Sequence, residues 1–249
     1  PFHPQSPAGL WLEKNADFFN EYHLDFLDPH GGKGGFGSSG AEFISVYSAK
    51  HSIQKTVAGI EQLLADYFSV IPIAEPVLPS GADLVAQVCG GITYWHRANQ
   101  QLDSLDWPFQ NLSYCLIRTG YKHPTHHGLK KVSANALTAM NHLVEQGYAA
   151  FKSKNSLALT QAVKEYATWM RKVDCVLAAT EELLQFLSGS KLIDVAKGCG
   201  ALGADVILVL LASEKLPAFL AWLQTHKLEL VAYGSSYSLP SLAATYSLN

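Results

Sequence analysis

Between residues 31 and 39 the chain reads Gly31-Gly32-Lys33-Gly34-Gly35-Phe36-Gly37-Ser38-Ser39, with an apolar run, Ala41, Phe43, Ile44, Val46 and Tyr47, directly behind it. That run has helical spacing. A glycine-rich loop feeding a helix leaves backbone N–H groups free at the positive end of the helix dipole, which is where a phosphate binds. Lys33 adds a point charge there, and the hydroxyl of Ser38 or Ser39 can meet a phosphate oxygen or a metal ion. The plainer alternative is a flexible surface loop, although such loops seldom place this many glycines immediately before an apolar helix.

Which phosphate loop this could be is narrowed by what surrounds it. Gly32, Gly34 and Gly37 satisfy G-x-G-x-x-G, but the dinucleotide fingerprint also needs a buried strand before the loop and an acidic residue about 20 positions on. The preceding stretch from His23 to His30 is polar and contains Pro29, and Glu61 sits in a helical pattern rather than at a strand end. A Walker A loop places its lysine after the last glycine, whereas Lys33 precedes Gly34. The glycine loop of protein kinases lies between two strands, and here a helix follows.

Three further stretches bear on the chemistry. Ser80-Gly81-Ala82-Asp83 precedes a short apolar helix that Gly90-Gly91 ends, with Ser80 as N-cap and Asp83 in the first turn. Asp83 is either a capping carboxylate or a base. Ala196-Lys197-Gly198-Cys199-Gly200-Ala201-Leu202-Gly203-Ala204-Asp205 leads into the apolar strand Val206–Leu211, and by itself is compatible with a plain turn. Asp106-Trp107-Pro108-Phe109 precedes a strand at Leu112–Arg118, after which come Thr119-Gly120, Lys122 and Thr125. His123, His126 and His127 invite a zinc site, but no Cys, His, Asp or Glu group stands nearby at ligand spacing.

The order and spacing of these stretches resemble the GHMP kinases, the family of galactokinase, homoserine kinase, mevalonate kinase and phosphomevalonate kinase. The first loop resembles their G-x-G-S-S-(G/A) phosphate loop, and Ser80-Gly81-x-Asp83 resembles the segment that carries their acceptor-side aspartate. The glycine stretch at 196–205 is most similar to the phosphomevalonate kinase form A-K-x-S-G-A-G-G-G-D, and mevalonate kinase is the runner-up because Pro79-Ser80-Gly81-x-Asp83 also resembles its P-S-G-x-D. The glycine stretch departs from the phosphomevalonate kinase form at Cys199, Leu202 and Ala204. The resemblance spans about residues 31 to 233. It implies an α+β, two-layer fold, with a nucleotide-binding domain over 1–125 and a C-terminal helix-and-sheet domain over 126–249. It implies an ATP-dependent phosphotransferase in which Gly34, Gly35, Phe36, Gly37, Ser38 and Ser39 hold the nucleotide. In that reading Ser38 helps place Mg²⁺, Lys33 offsets developing charge, and Asp83 is the base or orienting group. Ser80, Gly81, Lys122, Thr125, Cys199, Gly200 and Ala201 are then on the acceptor side. The family's opening strand, P-G-x-x-x-(L/F)-x-G-(E/D)-(H/Y), has no counterpart before residue 31. The expectation is therefore that residues precede Pro1 or that a partner chain covers the exposed sheet edge. The rival from another class is a nucleotide- or metabolite-binding protein without turnover.

Composition agrees with a folded, small-molecule protein. The chain has 249 residues, 48% hydrophobic and 16% charged, with net charge −3. Its 18 basic residues form no stripe for nucleic acid. Cys89, Cys115, Cys175 and Cys199 are widely spaced, which suits free thiols in a cytoplasmic protein. No apolar run approaches a membrane span. The expected state is monomer or homodimer. Along the chain, residues 1–30 read as irregular because of their prolines. Helices are expected over 38–51, 52–70, 80–88, 128–152 and 156–172, with more helix reaching Leu187 and another over 216–226. Strands are expected over 92–95, 112–118, 205–211 and 228–233.

Overall fold

The fold is seen in a computed structural model, which describes residues 2–27, 37–72, 79–120, 134–200, 203 and 205–234, with only the backbone of 134–137. The sequence-derived residues Lys33, Gly34, Gly35, Phe36, Lys122, Thr125 and Ala201 lie outside the described residues. One compact unit runs to Leu105 and a second begins at Asp106.

The first unit is built from α1 (Pro7–Lys14), α2 (Ala16–Phe19), α3 (Ser38–Gln54), α4 (Ile60–Val70) and α5 (Ala82–Cys89), followed by an antiparallel hairpin of β1 (Ile92–His96) and β2 (Gln101–Leu105). Its core gathers Trp11, Phe43, Ile44, Tyr47, Leu63, Tyr67, Leu84 and Val88. Two expectations are corrected here. The prolines near the N-terminus do not keep it irregular: Pro7 occupies the first turn of α1, where its missing N–H costs nothing, and the Ser6 hydroxyl accepts from the Gly9 N–H at 3.1 Å. Trp11 then anchors α1 between Phe43 and Tyr47, with ring centroids 5.7 and 5.3 Å away. Nor does a helix run unbroken from 52 to 70. Lys55 turns left-handed (φ 54°), the Thr56 N–H bonds back to the His51 carbonyl at 2.9 Å, and extended Gly59 starts the next helix. Ile53 and Val57, expected on an apolar face, are exposed in consequence.

The second unit centres on a sheet of order β4-β5-β3-β6, antiparallel throughout: β3 (Leu112–Arg118), β4 (Val195–Cys199), β5 (Val206–Ala212) and β6 (Leu230–Gly234). Alternation along β3 and β5 gives each face its own core. Cys115, Ile117, Ile207, Val209 and Leu211 meet α8 (Ala178–Gly189) and α9 (Leu216–Thr225). Tyr114, Leu116, Leu208 and Leu210 meet residues of α6 (Ala134–Lys152) and α7 (Ser156–Lys172). The α+β expectation holds. The glycine stretch at 196–205 is not all loop: its first four residues belong to strand β4. No helix among the described residues is long and apolar enough to cross a membrane. All four cysteines are free, and burial pushes the Cys115 thiol up to about 12.

Candidate phosphate and acceptor site

Two segments fifty residues apart meet at the start of α3. Gly37 is its N-cap, in the left-handed region (φ 69°, ψ 40°), a conformation that suits glycine. Helix α5 carries Asp83 and Gln87 four residues apart, hence on one face. That face lies against Gly37 and Gly40. A Cβ on Gly37 would lie 2.6 Å from Gln87 Nε2 and 3.2 Å from Asp83 Cβ, and one on Gly40 would lie 2.9 Å from Asp83 Oδ2. Both glycines thus let α5 come close. The Gln87 amide donates to the Gly37 carbonyl at 2.9 Å. Behind this face Leu84 and Val85 are fully buried, so the position of Asp83 is fixed by core packing.

Among the described residues no side chain caps α3, and its first turn holds no acidic residue of its own. Ser38 and Ser39 are exposed there. Among the described residues, the carboxylate beside the positive end of α3 is that of Asp83. Burial pushes this carboxyl above the ordinary carboxylate range, against a smaller downward pull from the backbone N–H groups of Leu84 and Asp83 itself. Asp83 still keeps an exposed side. Tyr67, buried beneath, has its phenol pushed up to about 12 by burial and then by the Asp83 charge, and stays neutral at physiological pH.

The approach to Asp83 is held from the hairpin. Trp95 Nε1 donates to the Ser80 carbonyl at 3.2 Å and Arg97 Nη1 to the Pro79 carbonyl at 3.0 Å, while the Arg97 guanidinium stacks 4.3 Å from the Phe68 ring centre. Gly81 is left-handed (φ 74°), and a Cβ there would press on Leu64 and Phe68 at 3.0 and 3.1 Å. The Ser80 hydroxyl accepts from the Ala82 N–H at 3.2 Å, although the N-cap itself is Gly81. Gln87, Tyr67, Trp95 and Arg97 escaped the sequence reading. The one local signal that could have found any of them is the spacing of Gln87, one helical turn after Asp83.

In the second unit, Cys199 and Gly200 close the β4–β5 connection. Gly200 is left-handed (φ 83°) with the Asp205 carboxylate over its Cα, and a Cβ on Gly198 would lie 2.7 Å from the Gly203 carbonyl. Thr180 and Thr119 hydroxyls hold the carbonyls of Gly203 and Asp205 at 3.2 and 3.1 Å. Lys197 is turned inward: its ammonium donates to the Gly198 carbonyl at 2.9 Å and lies 4.5 Å from the Tyr166 ring centre.

By sequence, no family model and no curated protein matches this chain. Solved structures do match. A Streptococcus pneumoniae phosphomevalonate kinase superposes with TM-score 0.73 at 16% identity, over 94% of this chain and 83% of that one. A structure of that kinase in complex with phosphomevalonate and AMPPNP gives 0.71, also at 16% identity, over 94% and 82%. A mevalonate kinase from L. major in complex with R-mevalonate gives 0.64 at 18% identity, over 92% and 74%. The fold is that of the GHMP kinases. In a GHMP-kinase fold, the pairing of Asp83 with the opening of α3 joins the two motifs that the resemblance had placed at the phosphates and at the acceptor.

Two described side chains could serve a metal that is bound together with a nucleotide. Among them no cluster of three His, Cys, Asp or Glu side chains could hold a metal ion by itself. Mg²⁺ commonly binds through one or two protein oxygens plus substrate phosphates. The exposed Ser38 hydroxyl and the Asp83 carboxylate are oxygens of that kind.

Proposed function

We propose that this chain transfers the γ-phosphoryl group of ATP to a small anionic acceptor, phosphomevalonate being the best candidate. The observation that carries the reading is the contact of Asp83 with the first turn of α3. A kinase needs an anion site and, within reach of it, a group that handles the attacking oxygen. A helix opening that ends in Gly37-Ser38-Ser39 supplies the first, and Asp83 supplies the second.

In this reading the N–H groups of Ser38, Ser39 and Gly40 bind phosphate oxygens, and the dipole of α3 favours their charge. Ser38 would hold Mg²⁺, which when bound neutralises phosphate charge. Asp83 accepts a proton or a hydrogen bond from the acceptor. A phosphate monoester has its second pKa near about 6 and is largely ionised at neutral pH. Toward phosphomevalonate, then, Asp83 orients the acceptor, whereas toward an alcohol such as mevalonate it must take a proton. The phosphomevalonate choice is supported by the Ala196-Lys197-x-x-Gly200-Ala201 form of the third motif.

A coupled ADP-release assay with Mg-ATP tests this, with phosphomevalonate and mevalonate run side by side. The expected result is ADP release that depends on acceptor and is faster with phosphomevalonate. Faster release with mevalonate would move the acceptor assignment. A thermal shift with Mg-ATP but no ADP from either acceptor would make the chain a nucleotide binder without turnover.

A further inference from the structure

We propose that Gln87 is a positioning residue for the nucleotide: it holds the Gly37–Ser38 peptide so that the Ser38 N–H points out of the helix start toward the phosphate. The inference rests on the phosphate site proposed above.

The argument begins with the Gly37 carbonyl. It accepts two hydrogen bonds, from the Ala41 N–H at 3.0 Å and from Gln87 Nε2 at 2.9 Å. A carbonyl oxygen has two lone pairs, so both are used. The peptide unit is planar and trans, so its C=O and N–H point in opposite directions. Fixing the Gly37 oxygen between α3 and α5 therefore fixes the Ser38 N–H in the opposite direction, away from both. Gly37 is where such a fix is needed. It is a glycine in the left-handed region, free to leave that region in a way other residues are not, and no side chain among the described residues caps the helix after it. The Ala41 bond comes with any helix. The Gln87 bond comes from another element and ties the loop end to the helix that carries Asp83.

The tie also sets a spacing. Asp83 and Gln87 lie one turn apart on α5, and both reach the opening of α3, at Gly40 and Gly37 respectively. The carboxylate is thereby held at a constant distance from the N–H groups that would bind the transferred phosphate. The role assigned to Gln87 is carried by its hydrogen bond to the Gly37 carbonyl, and so through the Gly37–Ser38 peptide.

The test uses Gln87→Met, which keeps length and loses the donor, and Gln87→Glu, whose carboxylate cannot donate to a carbonyl at neutral pH. Circular dichroism and thermal melting first establish that both fold. Titration with AMPPNP and Mg²⁺ should show affinity lowered about three- to tenfold, the scale of one neutral hydrogen bond. The acceptor KM should stay within about twofold. In the free protein, amide exchange at Ala41 should quicken, since its acceptor is no longer held. Unchanged AMPPNP affinity in both variants, with wild type binding normally, overturns the inference alone. So does a parallel loss of nucleotide affinity, acceptor KM and melting temperature, which would make Gln87 a general structural tie. Failure of wild type to bind AMPPNP at all would instead bring down the proposed function.

Discussion

At the scale of single residues, Asp83 carries opposing demands. Burial raises its carboxyl, so the folded protein holds a proton there more readily than the unfolded chain does. The sign follows from linkage: where the native state binds more protons, stability falls as pH rises. The ionised group is thus a burden on the fold that is absent below the unfolded-state carboxylate range and fully present above the raised folded value. Asp83→Asn should therefore melt at the same temperature as wild type or higher at pH 7, with any advantage shrinking as pH falls toward 4. Turnover should drop about 10²–10⁴-fold, the range for losing acid–base help, with Mg-AMPPNP affinity nearly unchanged. The drop should be smaller with phosphomevalonate than with mevalonate. A variant both less stable and equally active would mark Asp83 as a helix cap. Gly37→Ala is the companion experiment. The added methyl meets Gln87 Nε2 and holds a strained φ, so nucleotide binding should weaken more than in Gln87→Met.

At the scale of elements, the helices that position the site rest on a shared core. Leu84 is fully buried in α5, directly after Asp83, and Leu84→Ala should cost about 2–5 kcal/mol of stability. Chemical denaturation measures this, and a cost under about 1 kcal/mol would mean that α5 is not held by its core. Much of this layer was legible in the sequence. The helix from Ser38, the Asp83 helix ended by Gly90, and the strands expected over 112–118 and 205–211, the latter observed one residue later, all follow from apolar periodicity and glycine stops. What was not legible depends on context. Lys55 turns left-handed although it is not glycine, and nothing local announces that. Gly198 sits in strand β4 because the Gly203 carbonyl lies where a side chain would be, a contact made only once the chain has turned back. The candidate site divides the same way. Asp83, Gly37 and Ser38 were singled out from motifs, whereas Gln87, Trp95 and Arg97 donate to backbone carbonyls distant in sequence, which no local pattern encodes.

At the scale of the molecule, the second unit has what independent folding requires. Both faces of its sheet are covered by helices and its apolar residues divide between two cores. The pairing that closes it, β3 between β5 and β6, is formed within the unit. A fragment from Asp106 to Tyr237 should accordingly unfold in one cooperative transition, followed by circular dichroism in urea. The same fragment lacks Gly37, Ser38, Asp83 and Gln87, so it should show no thermal shift with Mg-AMPPNP, while the whole chain does. Nucleotide binding by the fragment alone would move the phosphate site away from α3 and end the assignment of the glycine loop. A fragment with no cooperative transition would show that this sheet, although covered on both faces, depends on residues outside Asp106–Tyr237. The Leu84→Ala and Asp83→Asn effects would then have to be read on the stability of the whole chain rather than on the first unit.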